Sequence, residues 1–121
     1  MRKETRSTNP DSVELVRLLR KKARENNAPI WRDVAERLSK PRQRRAKVNI
    51  SRLSRHTRQD DQVVVPGKVL GAGLMDHSVT VAAFAFSERA RVKILRAKGK
   101  CELIPDLIKT NPEGTNVKIF G

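Results

Sequence analysis

The sequence predicts an α/β fold in which basic helices fill the first half and short strands alternate with helices in the second. Two patterns carry that prediction. Up to about residue 58, apolar residues recur every three to four positions, the spacing of helices that bury one face. Beyond residue 62 they gather into runs, VVV at 63–65 and VTVAAFAF at 79–86, which suit strands covered on both faces by helices. Charge divides the chain at the same place. Residues 1–60 carry 18 basic and 7 acidic side chains, net +11, whereas residues 61–121 carry 9 and 6, net +3.

The expected organisation is a basic N-terminal arm, 1–9, and a single α/β domain, 10–121. Within that domain, 10–59 is the basic helical half and 60–121 the scaffold half. The polar arm, which includes Arg6, is expected to gain order only with a partner. Asn9-Pro10-Asp11 starts the first helix, with Asn as N-cap, Pro at the first helical position and Asp at the positive end of the dipole. Leu15, Val16, Leu19 and Ala23 share one face, with Arg17, Arg20, Lys21 and Arg24 nearly opposite. Asn26-Asn27 ends the helix.

A second helix is expected from Pro29 to Ser39, with Trp31, Val34, Ala35 and Leu38 in one buried stripe. Lys40-Pro41 stops it, because proline disfavours helical backbone in the preceding residue. Lys40 to Lys47 is expected to be an exposed basic loop. Asn49 caps a third helix reaching about Arg58, with Ile50, Leu53 and Thr57 inward and Arg52, Arg55 and His56 outward.

In the second half, Val63-Val64-Val65 is a strand closed by a Pro66-Gly67 turn, and Lys68-Val69-Leu70 a further extended piece before Gly71-Ala72-Gly73. Val79 to Phe86 is a buried strand. Ser87 caps a helix from Glu88 to about Lys98, ended by Gly99. A short strand at Cys101–Leu103, a short helix at Ile104–Lys109, a turn at Asn111–Gly114 and a last strand at Val117–Phe120 complete the succession.

From Arg37 to Gln59 the chain places nine Lys or Arg and no Asp or Glu within 23 residues. Such a density repels itself unless a polyanion neutralises it. A nucleic-acid backbone does so favourably, because each neutralised phosphate releases condensed counterions. Arg outnumbers Lys seven to two in this segment, which favours bidentate phosphate contacts. With no Tyr and three Phe, stacking of single-stranded bases on a sheet is not expected. Recognition is expected to rest on phosphates and shape.

Other chemistry fits less well. The single cysteine, Cys101, excludes an internal disulfide and a Cys-based zinc site, and suits a reducing compartment. No apolar run reaches the ~20 residues needed to span a bilayer, and the N-terminus lacks the apolar region of a secretory signal. Gly67-Lys68 lacks the remaining residues of a phosphate-binding loop, and Gly71-x-Gly73 lacks the third glycine of a dinucleotide fingerprint. Asp76-His77 could pair a base with its orienter, but no nucleophile motif surrounds Ser78 or Ser87. The two histidines make no metal spacing.

Four strings resemble a known family. They are Thr8-Asn9-Pro10, PIWRDVAERLSKPRQRRAKVNISRL (Pro29 to Leu53), VVVPGKVLGAGLMDHSVTVAAFAFS (Val63 to Ser87) and NPEGTNVKI (Asn111 to Ile119). Together they resemble the archaeal large-subunit ribosomal proteins "L eighteen e", relatives of the bacterial "L fifteen", over nearly the whole chain. The absence of a Gly-rich N-terminal extension and of a basic C-terminal one points to the archaeal type.

The resemblance implies an irregular superhelix of short β-β-α turns. It also implies a structural role in the large subunit of the cytoplasmic ribosome, with large-subunit ribosomal RNA and neighbouring ribosomal proteins as partners. No membrane, cofactor, small-molecule substrate or catalysis is implied. The candidate RNA-binding residues are Arg6, Arg17, Arg20, Lys21, Arg24, Lys40, Arg42, Arg44, Arg45, Lys47, Arg52, Arg55, His56, Arg58 and Lys68. Two alternatives are a free nucleic-acid-compacting protein and an RNA-modifying enzyme using Asp76-His77.

Overall fold

A computed structural model describes residues 12–121, so the arm with Arg6 and the Asn9-Pro10-Asp11 helix start lie outside the described residues. In chain order the elements are α1 (Ser12–Glu25), α2 (Pro29–Leu38), a 3-10 turn (Arg42–Arg44), β1 (Ala46–Asn49), α3 (Ile50–Arg55), β2 (Asp61–Leu70), β3 (Val79–Phe86), α4 (Glu88–Arg96), β4 (Lys100–Leu103), α5 (Ile104–Thr110) and β5 (Val117–Ile119). The α/β expectation holds.

All five strands run parallel. β2 pairs with β3, and β3 with β4. The other edge of β2 is shared: its first half takes β5, Gln62 opposite Val117, and its second half takes β1, Ala46 opposite Gly67. Buried residues fall into two clusters. One joins Leu15, Leu19, Trp31, Val34 and Leu38 of α1 and α2 to Val64, Ala82 and the α5 residues Ile104 and Leu107. The other joins Ile50 and Leu53 of α3 and Ala90 and Ile94 of α4 to Val63, Val65, Val79 and Val81. Alternate residues of β2 and β3 thus feed opposite cores, which is why these strands read as unbroken apolar runs. The result is three layers, with α1, α2 and α5 on one face and α3 and α4 on the other.

Local chemistry explains the joints. Asn27 takes a left-handed conformation (φ 50°) just after α1, and the Ala28 N–H donates to Ala23 O at 3.0 Å. Trp31 is fully buried, and its indole N–H donates to Pro112 O at 2.7 Å. Ser87 caps α4 as expected, accepting from the Ala90 N–H at 3.1 Å. Parallel neighbours β2 and β3 are joined without a helix, so residues 71–78 cross the sheet on the α3/α4 side. There Lys93 Nζ donates to Gly71 O and Gly73 O, both at 2.6 Å, and Ala72 O accepts from the Ser51 N–H at 3.0 Å. The succession β2, β3, α4 is the strand–strand–helix unit that the resemblance implies.

Five details differ from expectation. Ala46 and Lys47 of the supposed loop, with Val48 and Asn49 after them, form β1. Asn49 precedes α3 without a capping side-chain bond, because its amide oxygen instead accepts from the Ala72 N–H at 3.3 Å. The third helix stops at Arg55 rather than Arg58, although Thr57 is still buried. At the end of α4 the left-handed residue is Lys98 (φ 67°); Gly99 is needed because a Cβ there would overlap Val79 O. Finally, Pro66-Gly67 makes no turn. β2 runs straight through it, absorbing the pair as a register shift against β3 between Val65 and Lys68.

Gly67 is required by proximity, since a Cβ there would overlap the Ala46 carbonyl oxygen. Gly67→Ala is expected to cost about 1–3 kcal/mol, as overpacking does. The loss should be read as a lower denaturant midpoint with faster amide exchange at Ala46–Asn49, while exchange in β3 stays slow.

At the start of β2, Asp61 accepts from the Arg58 N–H at 2.8 Å and from Lys118 Nζ at 3.0 Å. The Arg58 hydrogen bond, with Lys118 next, holds its carboxyl below the ordinary 3.8. The folded state therefore binds fewer protons, and the stabilisation is present above about pH 4 and fades as pH falls through the lowered value. Asp61→Asn should melt earlier than the parent at pH 7, with the gap closing as pH falls below the ordinary 3.8 and through the lowered value.

Candidate nucleic-acid interface

Helix α1 buries Leu15, Leu19 and Ala23, and the 3.6-residue repeat then turns Arg17, Arg20, Lys21 and Arg24 outward, where all four are exposed. Beside them a groove opens between α1 and the end of α2. Val16 and Leu38 lie in it, and Arg17, Arg20, Arg24 and Arg45 line it. Arg45 is set in place by its own contacts: Nε donates to Lys40 O at 3.1 Å, and the guanidinium lies 5.4 Å from the centre of the Phe84 ring.

Arg45 also lines a second depression, with Arg42, Lys47, Lys68, Phe84 and Ala85, so the basic surface continues from the helical groove onto the sheet. Lys47 and Lys68 are opposite each other on β1 and β2, and both are exposed. Lys40 and Arg44 project from the turn between α2 and β1, also exposed. One continuous surface thus collects ten of the candidate residues.

The remaining described candidates lie elsewhere. Arg52, Arg55, His56 and Arg58 are exposed on α3 and just after it, and α3 packs on the opposite side of the sheet. Arg52 rests 5.8 Å from the Phe120 ring centre. The basic segment 37–59, continuous in sequence, is therefore divided between two faces of the molecule.

Sequence reasoning missed a further group. Arg89, Arg91 and Arg96 are exposed on α4, with Arg91 5.2 Å from the Phe86 ring centre. The small net charge of residues 61–121 concealed them; a helical projection of 88–96 would have found them. Ion pairs among the described residues join Lys21 and Lys22 to Glu25, Arg37 to Asp33 and Lys118 to Asp61. None of the groove or α4 arginines has a described acidic partner.

The candidate acid–base pair is structural. His77 Nδ1 lies 2.6 Å from Asp76 Oδ1, and Nε2 lies 2.7 Å from the hydroxyl of buried Thr57. Ser54 donates to the same Asp76 oxygen at 3.1 Å. The His77 hydrogen bond, then Ser54, lowers the Asp76 pKa. Both ring nitrogens are committed, so the group ties the end of α3 to the 71–78 crossing. Ser78 donates to Asp60 and Ser87 caps α4, so neither serves His77 as a nucleophile. Burial pushes the Cys101 thiol up, keeping it protonated. No helix among the described residues is long and apolar enough to cross a membrane.

Clustered arginines on a helix-covered parallel sheet, with His77, Ser78 and Ser87 held in bonds of the fold, mark a basic α/β protein. The family model described as "Ribosomal protein 60S L18 and 50S L18e" matches residues 1–120. The large ribosomal subunit protein eL18 of Methanothermobacter thermautotrophicus is 50% identical over 113 residues, 93% of each chain. That of Methanococcus maripaludis is 47% identical over 118 residues, 98% of each chain, and that of Methanoregula boonei 45% over 120 residues, 99% of each. The chain belongs to the L18/L18e family of ribosomal proteins. Its role is structural and not enzymatic.

Proposed function

We propose that this protein is a constituent of the large subunit of the cytoplasmic ribosome, where it binds large-subunit ribosomal RNA and touches neighbouring ribosomal proteins. The observation that carries this reading is the groove lined by Arg17, Arg20, Arg24 and Arg45, with no acidic side chain among its described lining residues. Guanidinium groups in that setting suit backbone phosphates, which they can bind through two parallel hydrogen bonds. Lys21, Lys40, Arg42, Arg44, Lys47 and Lys68 extend the same surface, and Arg6 of the 1–9 arm supplies a further cation for phosphate. Arg52, Arg55, His56 and Arg58 act on the other face. In this reading residues 10–121 act as one domain, with 10–59 supplying most of the cations and 60–121 most of the scaffold.

The test is sedimentation of tagged protein from an archaeal lysate with and without RNase. Stoichiometric migration with the large subunit, lost after RNase, is the expected result. Migration at the top of the gradient, or with DNA, would overturn the reading.

A further inference from the structure

The RNA-binding reading concerns mainly the α1 side of the sheet, yet the opposite side is built for contact as well. Helix α4 buries Ala90 and Ile94 against the sheet, and at 100° per residue this turns Arg89, Arg91, Arg96, Val92 and Leu95 outward. All five are exposed. Residue Leu74, on the crossing that lies against α3 and α4, is 79% exposed. Lys93 and Ser51 fix the backbone of that crossing, at Gly71, Ala72 and Gly73, so Leu74 is carried on an anchored segment. Across from α4, α3 presents Arg52 and Arg55.

Among the described residues the exposed large apolar side chains are Val13, Leu74, Val92 and Leu95. Val13 borders the arginine groove of α1; the other three belong to the α3/α4 layer. Each side of the molecule thus combines apolar side chains left in water with arginines that have no acidic partner among the described residues. A face meant only for solvent gains nothing from that combination. An A-form duplex accepts both parts, since its shallow minor groove offers ribose carbons and 2′-hydroxyls between lines of phosphate.

We propose that α3 and α4 form a second RNA-binding surface, through Arg52, Arg89, Arg91 and Arg96, and that the protein bridges two separate RNA segments. The two surfaces point in opposite directions across three layers of secondary structure, so one straight duplex cannot touch both. Glu88 is the acidic residue on the outer side of α4. It stands at the first turn of the helix, where the dipole favours it, and leaves the arginines available to phosphate. The inference rests on the RNA-binding reading above, but adds a site and a stoichiometry.

Bridging is tested with the full chain and two short RNA duplexes, one immobilised and one fluorescent, at about 0.15 M salt, where exposed charges more than ~8 Å apart are largely screened. The parent protein should retain the fluorescent duplex on the immobilised one, and native mass spectrometry should show two duplexes per chain. The variant Arg89→Ala/Arg91→Ala/Arg96→Ala should still unfold in one cooperative transition and still bind one duplex through α1, while losing the bridge. Arg17→Ala/Arg20→Ala/Arg24→Ala should lose it too, keeping the α4 event.

A parent that binds one duplex only would overturn the second site, with the RNA contacts of Arg52, Arg55, His56 and Arg58, and leave RNA binding through the α1 surface standing; the α3/α4 face would then belong to a neighbouring protein. Bridging that survives the α4 substitutions would also overturn it. Failure to bind any duplex would sink the RNA-binding reading itself.

Discussion

Trp31→Ala should destabilise the fold by about 3–5 kcal/mol, the cost of deleting a large buried aromatic side chain. That is a large part of the roughly 5–15 kcal/mol that holds a typical domain together. Trp31 is fully buried in the core shared by α1, α2, the sheet and α5. Its indole also ties α2 to the 111–114 turn through Pro112 O, so truncation leaves a cavity and removes that carbonyl's donor. Trp31→Phe separates the two effects: most of the volume remains, and the expected loss falls to about 1–3 kcal/mol, the cost of a buried group left without its partner. Because Trp31 is the only tryptophan, its emission in the parent should be blue-shifted when folded and move red across the urea transition. A loss below about 1 kcal/mol for Trp31→Ala, under the usual range for such a truncation, would show that the α2 to 111–114 contact is not an anchor. Neither variant should alter the salt dependence of RNA binding, since Trp31 reaches no phosphate.

The urea experiment probes a core that was open to sequence reasoning, because burial leaves a periodic trace. The stripes Leu15/Leu19/Ala23 and Trp31/Val34/Leu38 emerged from spacing, and VTVAAFAF could be read as a strand covered on both sides. What the sequence hid was the course of the chain near 46–70. Ala46–Asn49 is too short to show alternation, and its lysine looks like a loop residue until Lys68 is found opposite it on β2. Pro66-Gly67 is an ordinary turn signal, overridden because β1 comes so close that only glycine fits and a register shift absorbs the proline. The cations were legible by count, but their division was not. Whether Arg45 and Arg52 share a surface depends on β1 joining the sheet between them, which is a property of topology.

That division makes the arginines of α1 the most informative to remove, and Arg17→Ala/Arg20→Ala/Arg24→Ala/Arg45→Ala should give two effects of opposite sign. RNA binding should weaken and its salt slope fall by up to about four, one for each phosphate no longer neutralised. Stability should instead rise at low salt. On α1, Arg17 stands three residues before Arg20 and four before Lys21, while Arg24 lies four beyond Arg20 and three beyond Lys21. Each like-charged pair at such spacing costs a few tenths of a kcal/mol, and alanine is the better helix former. A gain of about 1 kcal/mol is expected from these terms together, read as a higher melting temperature in dilute buffer, with the gap narrowing towards about 1 M salt as screening relieves the parent. Removing the Arg45 guanidinium from the Phe84 ring opposes this by about 0.5–1 kcal/mol, so the triple variant that retains Arg45 should be the more stable of the two. A residue kept only for folding cannot produce this pair of results, because removing it would lower stability. An unchanged salt slope would move the phosphate contacts off α1. Lower stability at every salt concentration would mean that the arginines hold the groove together instead of straining it. The expected pattern is that of a surface strained by its own charge until RNA neutralises it.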